Sequence, residues 1–579
     1  LLYKQVLPSI SLPSPILSLA GDGQGGVWAG GIGGVAHYAP KQGWIPLISG
    51  LPVRGVSGLA AGASWLFAGG VEGLARSANG GAAWQLSKTE GNGNSIAAVA
   101  LSPNFEQDQS ALAATLEGGI LRTEDAGRTW HGSNFGLQNF EVTSLAWGDG
   151  DQVLVGTANG IFRSPNGGRA WRAVDETVGT AIAAVVFLPD GSALAASDGG
   201  TLLHRSTGSG QWCVQDSDLP AGAMSTAFHL AGNVLLMGTT NMGILRSLDC
   251  GRTWSQVADD TIFALAASNG ALYAGTGTGL KVSLDDGEVW EKLPLSPLHD
   301  LRRIHVVQGR VLVSGCYSVT LRYDPAGSWE PLTTAVLPLS LLVTDGRGHL
   351  FASGPDGLFL SDDAGDHWHQ VLAGEQGHLR RLAMREDGMG WATSNDSTRL
   401  LRTRDGGSSW EIASTPLGVD SLVALEAAPE LVFAATYSPI QQIARLWYST
   451  DEGRQWHRGA EARTAWPMIA TFPQPPMVSL GGTILAQQDD GTWQSAGILV
   501  NDSPAIRHII GHDGLLLALT TNGILVSLDN AASFEWLNGI DLPADQVMDV
   551  ALDGMTLYVL AVGGQVCSFE LSLIDGKSS

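Results

Sequence analysis

Two apolar strands carry paired arginines, Leu301-Arg302-Arg303-Ile304 and Leu379-Arg380-Arg381-Leu382, and Arg507 follows Ile506 in a similar setting. A guanidinium group is a planar fork of N–H donors that matches a carboxylate, sulfate or phosphate. If Arg303, Arg381 and Arg507 converge, with Arg302 and Arg380 beside them, the expected chemistry is capture of an anion or of acidic groups on a partner. The alternative is that each arginine pairs with its own neighbouring acid. Glu141, Asp175, Asp300 and Asp420 fall in segments that read as loops. Two facing carboxylates could cleave a glycosidic bond, but taken singly these four read as solvated loop charges. His367-x-His369 offers two imidazoles and no third ligand at suggestive spacing, which is too little for zinc. Gly21-Asp-Gly23-Gln-Gly-Gly26 fits the dinucleotide-binding pattern, yet no helix follows it to point amides at a pyrophosphate, so it reads as a hairpin turn. Walker A, His-Glu-x-x-His and Gly-x-Ser-x-Gly sequences do not occur. No catalytic residue is assigned, and neither metal nor cofactor is expected.

The chain that must position these residues has 579 of them, too many for one ordinary domain. Hydrophobic residues make up 44% and charged residues 15%, so a large core is available. Glycine, at 76 residues, is nearly twice as common as usual without a collagen period, which implies many tight turns. Lys+Arg total 32 against 56 Asp+Glu, a net charge of −24 that repels nucleic acid and anionic membrane surfaces. No apolar run is long enough for a spanning helix. The first residue is Leu rather than Met, which suggests a trimmed N-terminus and is compatible with a removed export signal. Cys213, Cys250, Cys316 and Cys567 show no Cys-x-x-Cys spacing and read as half-buried free thiols, with a Cys213–Cys250 pair as the alternative.

Self-similarity dominates everything else. Thr123-Glu-Asp125-Ala-Gly127-Arg-Thr129-Trp130 and Ser247-Leu-Asp249-Cys-Gly251-Arg-Thr253-Trp254 are two copies of one unit; close variants end at Trp84, Trp171, Trp290, Trp368, Trp410 and Trp456. Eroded copies end at Trp44, Trp212, Trp329, Trp493 and Phe534, giving a mean period of about 41 residues. Each unit holds four short β-rich runs separated by Gly, Asn and Asp turns, which is a four-stranded antiparallel meander. Repeated meanders of this length build a β-propeller. The last unit, Met548 to Leu571, has only three strands, whereas Tyr3-Lys-Gln-Val6 is an orphan resembling the fourth strand of other units. The expected fold is therefore all-β, with about 14 four-stranded blades in tandem seven-bladed propellers, residues 1–287 and 288–579. Tyr3 to Leu7 would close the first ring. Trp290 to Leu295 would close the second or continue the seventh blade. One open or giant ring is the alternative.

The repeated Ser/Thr-x-Asp-x-Gly-x-Thr-Trp unit resembles the Asp box, or BNR repeat, of sialidases, sortilin-type receptors, two-propeller xyloglucanases and the photosystem II assembly propeller. The resemblance spans the whole chain and implies propeller blades with the box between strands three and four. It gives Asp125, Asp249, Asp285, Asp363, Asp405, Asp451 and Asp529 a structural role, since a carboxylate can accept the N–H groups of its own turn. One carboxylate per turn is far short of a calcium site. The sialidase Arg-Ile-Pro segment is missing, with only Arg54 near an inner strand of the first half, and the xyloglucanase segment Thr-Asp-x-Gly-Gly-Ala-Tyr-Arg has no match. The resemblance thus implies a non-catalytic scaffold that binds a protein partner, as an accessory or assembly subunit outside the cytoplasm. The alternative is a glycoside hydrolase or carbohydrate-binding protein using the cleft between two propellers.

Overall fold

In the computed structural model the described residues are 4–571 except 9, 11–12, 47–50, 52, 54, 72, 91–94, 209, 300, 316–319, 325–326, 333–340, 346, 375–377, 386, 395–398, 414–420, 428–429, 439–440, 442, 464–470, 474–475, 481–482, 488–492, 496–505, 513–514, 521, 530–532, 539, 541, 543–546 and 562–563. Arg54, Asp300, Cys316 and Asp420 lie outside them. Among the described residues the chain forms fourteen sheets, twelve of them consecutive four-stranded antiparallel meanders; one other gains Lys88–Thr89 as a fifth, parallel strand beside Thr129–Gly132. The helix described is short, as in the single turns at Phe105–Asp108 and Asp175–Thr177. No helix among the described residues is long and apolar enough to cross a membrane.

The sheets divide equally between two compact units. Ser11–His299 is an N-terminal propeller of seven blades; Asp300–Ser579 together with Leu1–Ile10 is a C-terminal propeller of seven. The expected division at 287/288 differs from this at both ends. Lys4–Val6 does not close the first ring: it pairs antiparallel with Val566–Glu570, with Gln5 opposite Ser568, as the outer strand of the last blade. The cause is the three-stranded meander spanning residues 547–570, whose unpaired outer edge is satisfied by this strand. Leu7 N–H then donates to Val566 O at 3.0 Å, and Trp329 Nε1 to Pro8 O at 2.8 Å. Glu291–Lys292 stays in the N-terminal propeller, continuing its seventh blade.

The N-terminal propeller closes without strand exchange. Ser14 Oγ and Gly33 N–H both donate to Leu298 O at 2.9 Å, so the outgoing chain straps the first blade. Asp22 of the first blade accepts Ser268 Oγ of the seventh at 2.8 Å, and Tyr273 Oη donates to Gly25 O at 2.6 Å. Ile16, Val27 and Tyr38 share one buried cluster with Tyr273 and Leu280. The second strands bring glycine close to the next blade: a Cβ on Gly275 would lie 2.7 Å from Ile16 O, and one on Gly69 would lie 2.4 Å from the Ile96 side chain.

Innermost strands share a second device. Among the described residues, in eleven blades the pairing slips by one residue near the start of the innermost strand, as between Ile16 and Ser18, Val142 and Ser144, or Leu301 and Arg303. This bulge sets the phase of every residue beyond it. After it the N-terminal propeller has Ser18, Ala98, Ser144, Ala184, Ala227 and Ala264, all small. At the same register the C-terminal propeller has Arg303, Arg381, Ala424, His508 and Asp549.

The repeated turns have one pattern of bonds. Asp125 Oδ1 accepts Thr129 N–H at 3.0 Å and Thr123 Oγ1 at 2.8 Å, while its Oδ2 accepts Thr129 Oγ1 at 2.7 Å. Ala126 and Gly127 both have positive φ, at 54° and 76°, and Trp130 is fully buried beyond them. Asp249, Asp285, Asp405, Asp451 and Asp529 accept the equivalent backbone N–H four residues on. Asp363 does too, and there His367 stands in place of Thr, its Nδ1 2.6 Å from Asp363 Oδ2.

Candidate functional site

The bulge corrects the sequence register at one residue. Arg507 is the bulged residue of its strand, equivalent to Arg302 and Arg380, and the residue in phase with Arg303 and Arg381 is His508. Arg507 donates from Nη2 to Thr520 O at 3.0 Å in the next strand of its own blade. Arg303 and Arg381 are brought together at the centre of the C-terminal propeller, along with groups that the sequence had not singled out.

Asp549, in the seventh blade, is the hub. Its side chain is 3% exposed; Oδ2 accepts Ile304 N–H at 3.1 Å, and Oδ1 lies 2.9 Å from His508 Nδ1 and 3.7 Å from Arg303 Nη1. Burial pushes its pKa up, but the His508 hydrogen bond, the charges of His508 and Arg303, and the Ile304 N–H together hold it below the usual value. One carboxylate therefore joins the sixth, seventh and first blades. Arg303 keeps an exposed guanidinium, with 58% of its side chain accessible.

Arg381 lies against Arg303 and Arg380. It is open to solvent, yet surrounded closely enough that burial lowers its guanidinium pKa, helped by these two like charges and opposed by Glu426. Its Nη1 donates to Arg380 O at 2.9 Å. Glu426, on the innermost strand of the fourth blade, is pushed up to about 7 by burial, against the pull of His508, Arg381 and Arg303. His305, two residues beyond Arg303, is driven down to about 4 by burial. Its Nε2 has no hydrogen-bond partner among the described residues. The result is a confined cluster of two arginines, two histidines and two acids, in which Asp549 has both oxygens engaged and Glu426 is held partly protonated near neutrality.

Glu426, His508 and Asp549 were hidden by chemistry rather than by distance in sequence. Each lies on an innermost strand, at or two residues beyond the phase of Arg303, but acids and imidazoles there break no pattern unless the bulge is known. Of the acids considered for glycosidic chemistry, Glu141 and Asp175 are exposed in connections of the N-terminal propeller. A second concavity of about 390 Å³ lies between the second and third blades of the C-terminal propeller, lined by Arg347, His349, Asp387 and Arg404 among others. Several of its charges have partners: Asp345 accepts His349 and Arg347, Arg385 pairs with Asp387, and Arg404 pairs with Glu452.

No protein-family model matches the chain, and no curated protein matches it in sequence. Solved structures do. A GH74 enzyme of Niastella koreensis aligns over 98% of this chain and 99% of its own at 15% identity, with a TM-score of 0.63. The GH74 xyloglucanase of Xanthomonas campestris aligns over 98% and 100% at 16% identity, also with a TM-score of 0.63. An ancestral GH74 enzyme aligns over 98% and 99% at 13% identity, with a TM-score of 0.52. At such identities the likeness is one of fold: the chain is a tandem β-propeller.

Proposed function

We propose that the chain is a non-catalytic propeller scaffold that binds a protein partner, and that Arg303 and Arg381, at the centre of the C-terminal propeller, receive a carboxylate or similar anion from it. The observation supporting this is the imbalance of charge. Two guanidinium groups and His508 face Asp549, whose oxygens are engaged, and Glu426, which burial keeps partly neutral. Like charges confined together are costly, and an incoming anion offsets that cost. Titration of the full chain with sulfate and with a Glu-rich peptide tests the reading. Arg381→Ala should weaken binding by about 1.5–3 kcal/mol, the usual worth of a hydrogen bond to a charged group. Equal binding by Arg381→Ala, Arg303→Ala and the parent chain would remove the site.

A second reading, glycoside hydrolysis, is favoured by the whole-length likeness to GH74 enzymes. Glu426 raised and Asp549 lowered also resemble the separated acid and base such chemistry uses. Against it, Asp549 is buried, with each oxygen already held by a hydrogen bond, to Ile304 N–H and to His508. Turnover of xyloglucan or β-glucan, abolished by Glu426→Gln, would establish the hydrolase in place of the scaffold.

A further inference from the structure

The N-terminal propeller presents a surface that the arginine cluster does not explain. In a four-stranded meander the turn between strands two and three and the connection from strand four to the next blade emerge at the same end. Along the third to sixth blades those segments are knitted together by the backbone. Gly119 N–H donates to Phe140 O at 3.0 Å, Ala158 N–H to Glu141 O at 3.2 Å, Asp198 N–H to Ala181 O at 3.0 Å and Thr240 N–H to Met224 O at 3.0 Å. They form one continuous arc.

This arc exposes large apolar side chains: Phe135 at 81%, Val178 at 58%, Met224 at 52%, Phe140 at 48% and Leu116 at 45%. Between them stand exposed carboxylates, Glu117, Glu141, Asp175, Glu176 and Asp198. The segments 116–119, 133–141, 158–159, 174–181, 198–201 and 215–224 contain no Lys or Arg at all. Arg128, Arg169 and Arg252 are exposed in the repeated turns, which border the arc at its outer edge, where Asp218 N–H donates to Arg252 O at 3.0 Å. The arc itself is thus acidic as well as greasy. Scattered exposed apolar residues need no explanation, but aromatic and aliphatic groups gathered across successive blades mark an interaction surface.

We infer that this arc is a docking surface for a protein segment that presents apolar side chains flanked by Lys and Arg. Apolar burial would supply the affinity, and the acids would select basic partners and repel acidic ones. The surface is independent of the arginine cluster, which belongs to the other propeller and takes the opposite charge.

The test uses the full chain and a labelled synthetic peptide in which Arg and Lys flank Leu and Trp, beside the same peptide with Glu in place of each base. Anisotropy titrations should show saturable binding of the basic peptide, weakened by salt, and none of the acidic one. Phe140→Ser with Phe135→Ser should weaken binding roughly tenfold, as expected for the loss of aromatic anchors. Glu141→Lys with Glu176→Lys should weaken it at least as much. Asp149→Lys with Glu288→Lys makes the same charge change outside the arc, in the turn between the first two strands of the fourth blade and in the repeated turn of the seventh, and should leave binding within about twofold. The inference is overturned if the parent chain fails to bind the basic peptide, if the two charge reversals act equally, if the Phe variant binds normally, or if a xyloglucan oligosaccharide competes the peptide away.

Discussion

At the scale of single residues, Asp549 and Glu426 make opposite demands on pH. Asp549 has a lowered pKa, so its contribution to stability is present above the unfolded value near 3.8 and is lost as pH falls through the folded one. Asp549→Asn should destabilise the C-terminal propeller by about 1.5–3 kcal/mol near neutrality, read from urea unfolding. The difference between variant and parent should shrink in acid. Glu426 is raised to about 7, so the folded state binds its proton more tightly than the unfolded chain does. Stability is then greatest below about 4.5 and declines as pH rises from there to about 7. Glu426→Gln should flatten that decline and leave the variant more stable than the parent at pH above 7; an unchanged slope would mean that the carboxyl is solvated. Convergence of Arg303 and Arg381 could be foreseen from their equal spacing in two repeats. The place of Arg507 follows from the same comparison once Ile506-Arg507-His508-Ile509 is set against Leu301-Arg302-Arg303-Ile304, because the bulge after Ile506 is the one after Leu301.

Strands and blades were more legible than sites, because four runs and a Trp recur every 41 residues or so and no helical period competes. Counting strands was enough to foresee a last blade lacking its outer strand and an orphan strand near residue 4. What counting cannot supply is which open edge the orphan meets. Both seventh blades offer the outer edge of a third strand, and the difference is that Glu291–Lys292 already occupies one of them. Deletion of residues 1–8 should therefore expose amides of Val566–Glu570 to rapid hydrogen exchange while those of Ala271–Thr276 keep their protection. Exposure of both sets would contradict separate closure. Gly275 is the corresponding weak point of the N-terminal propeller: Gly275→Ala places a methyl 2.7 Å from Ile16 O and should destabilise that propeller by about 1–3 kcal/mol. A melt indistinguishable from the parent would show that the blades separate freely there.

For the molecule as a whole, the pairing of Lys4–Val6 with Val566–Glu570 bears on time as well as on architecture. During synthesis the residues of the N-terminal propeller can close on themselves once the strap at 294–299 has emerged, since all their partners are then available. Lys4–Val6 must wait, unpaired, while every other blade is made. Contacts so distant along the chain form slowly, because the entropy of closing the loop is spent before any bond repays it. A chain released before residue 547 should show a folded N-terminal propeller by protease resistance and a C-terminal one that stays sensitive. The waiting strand thus makes the second ring a proofreader of length: only a ribosome that has passed Val566–Glu570 yields a product in which Lys4–Val6 is paired.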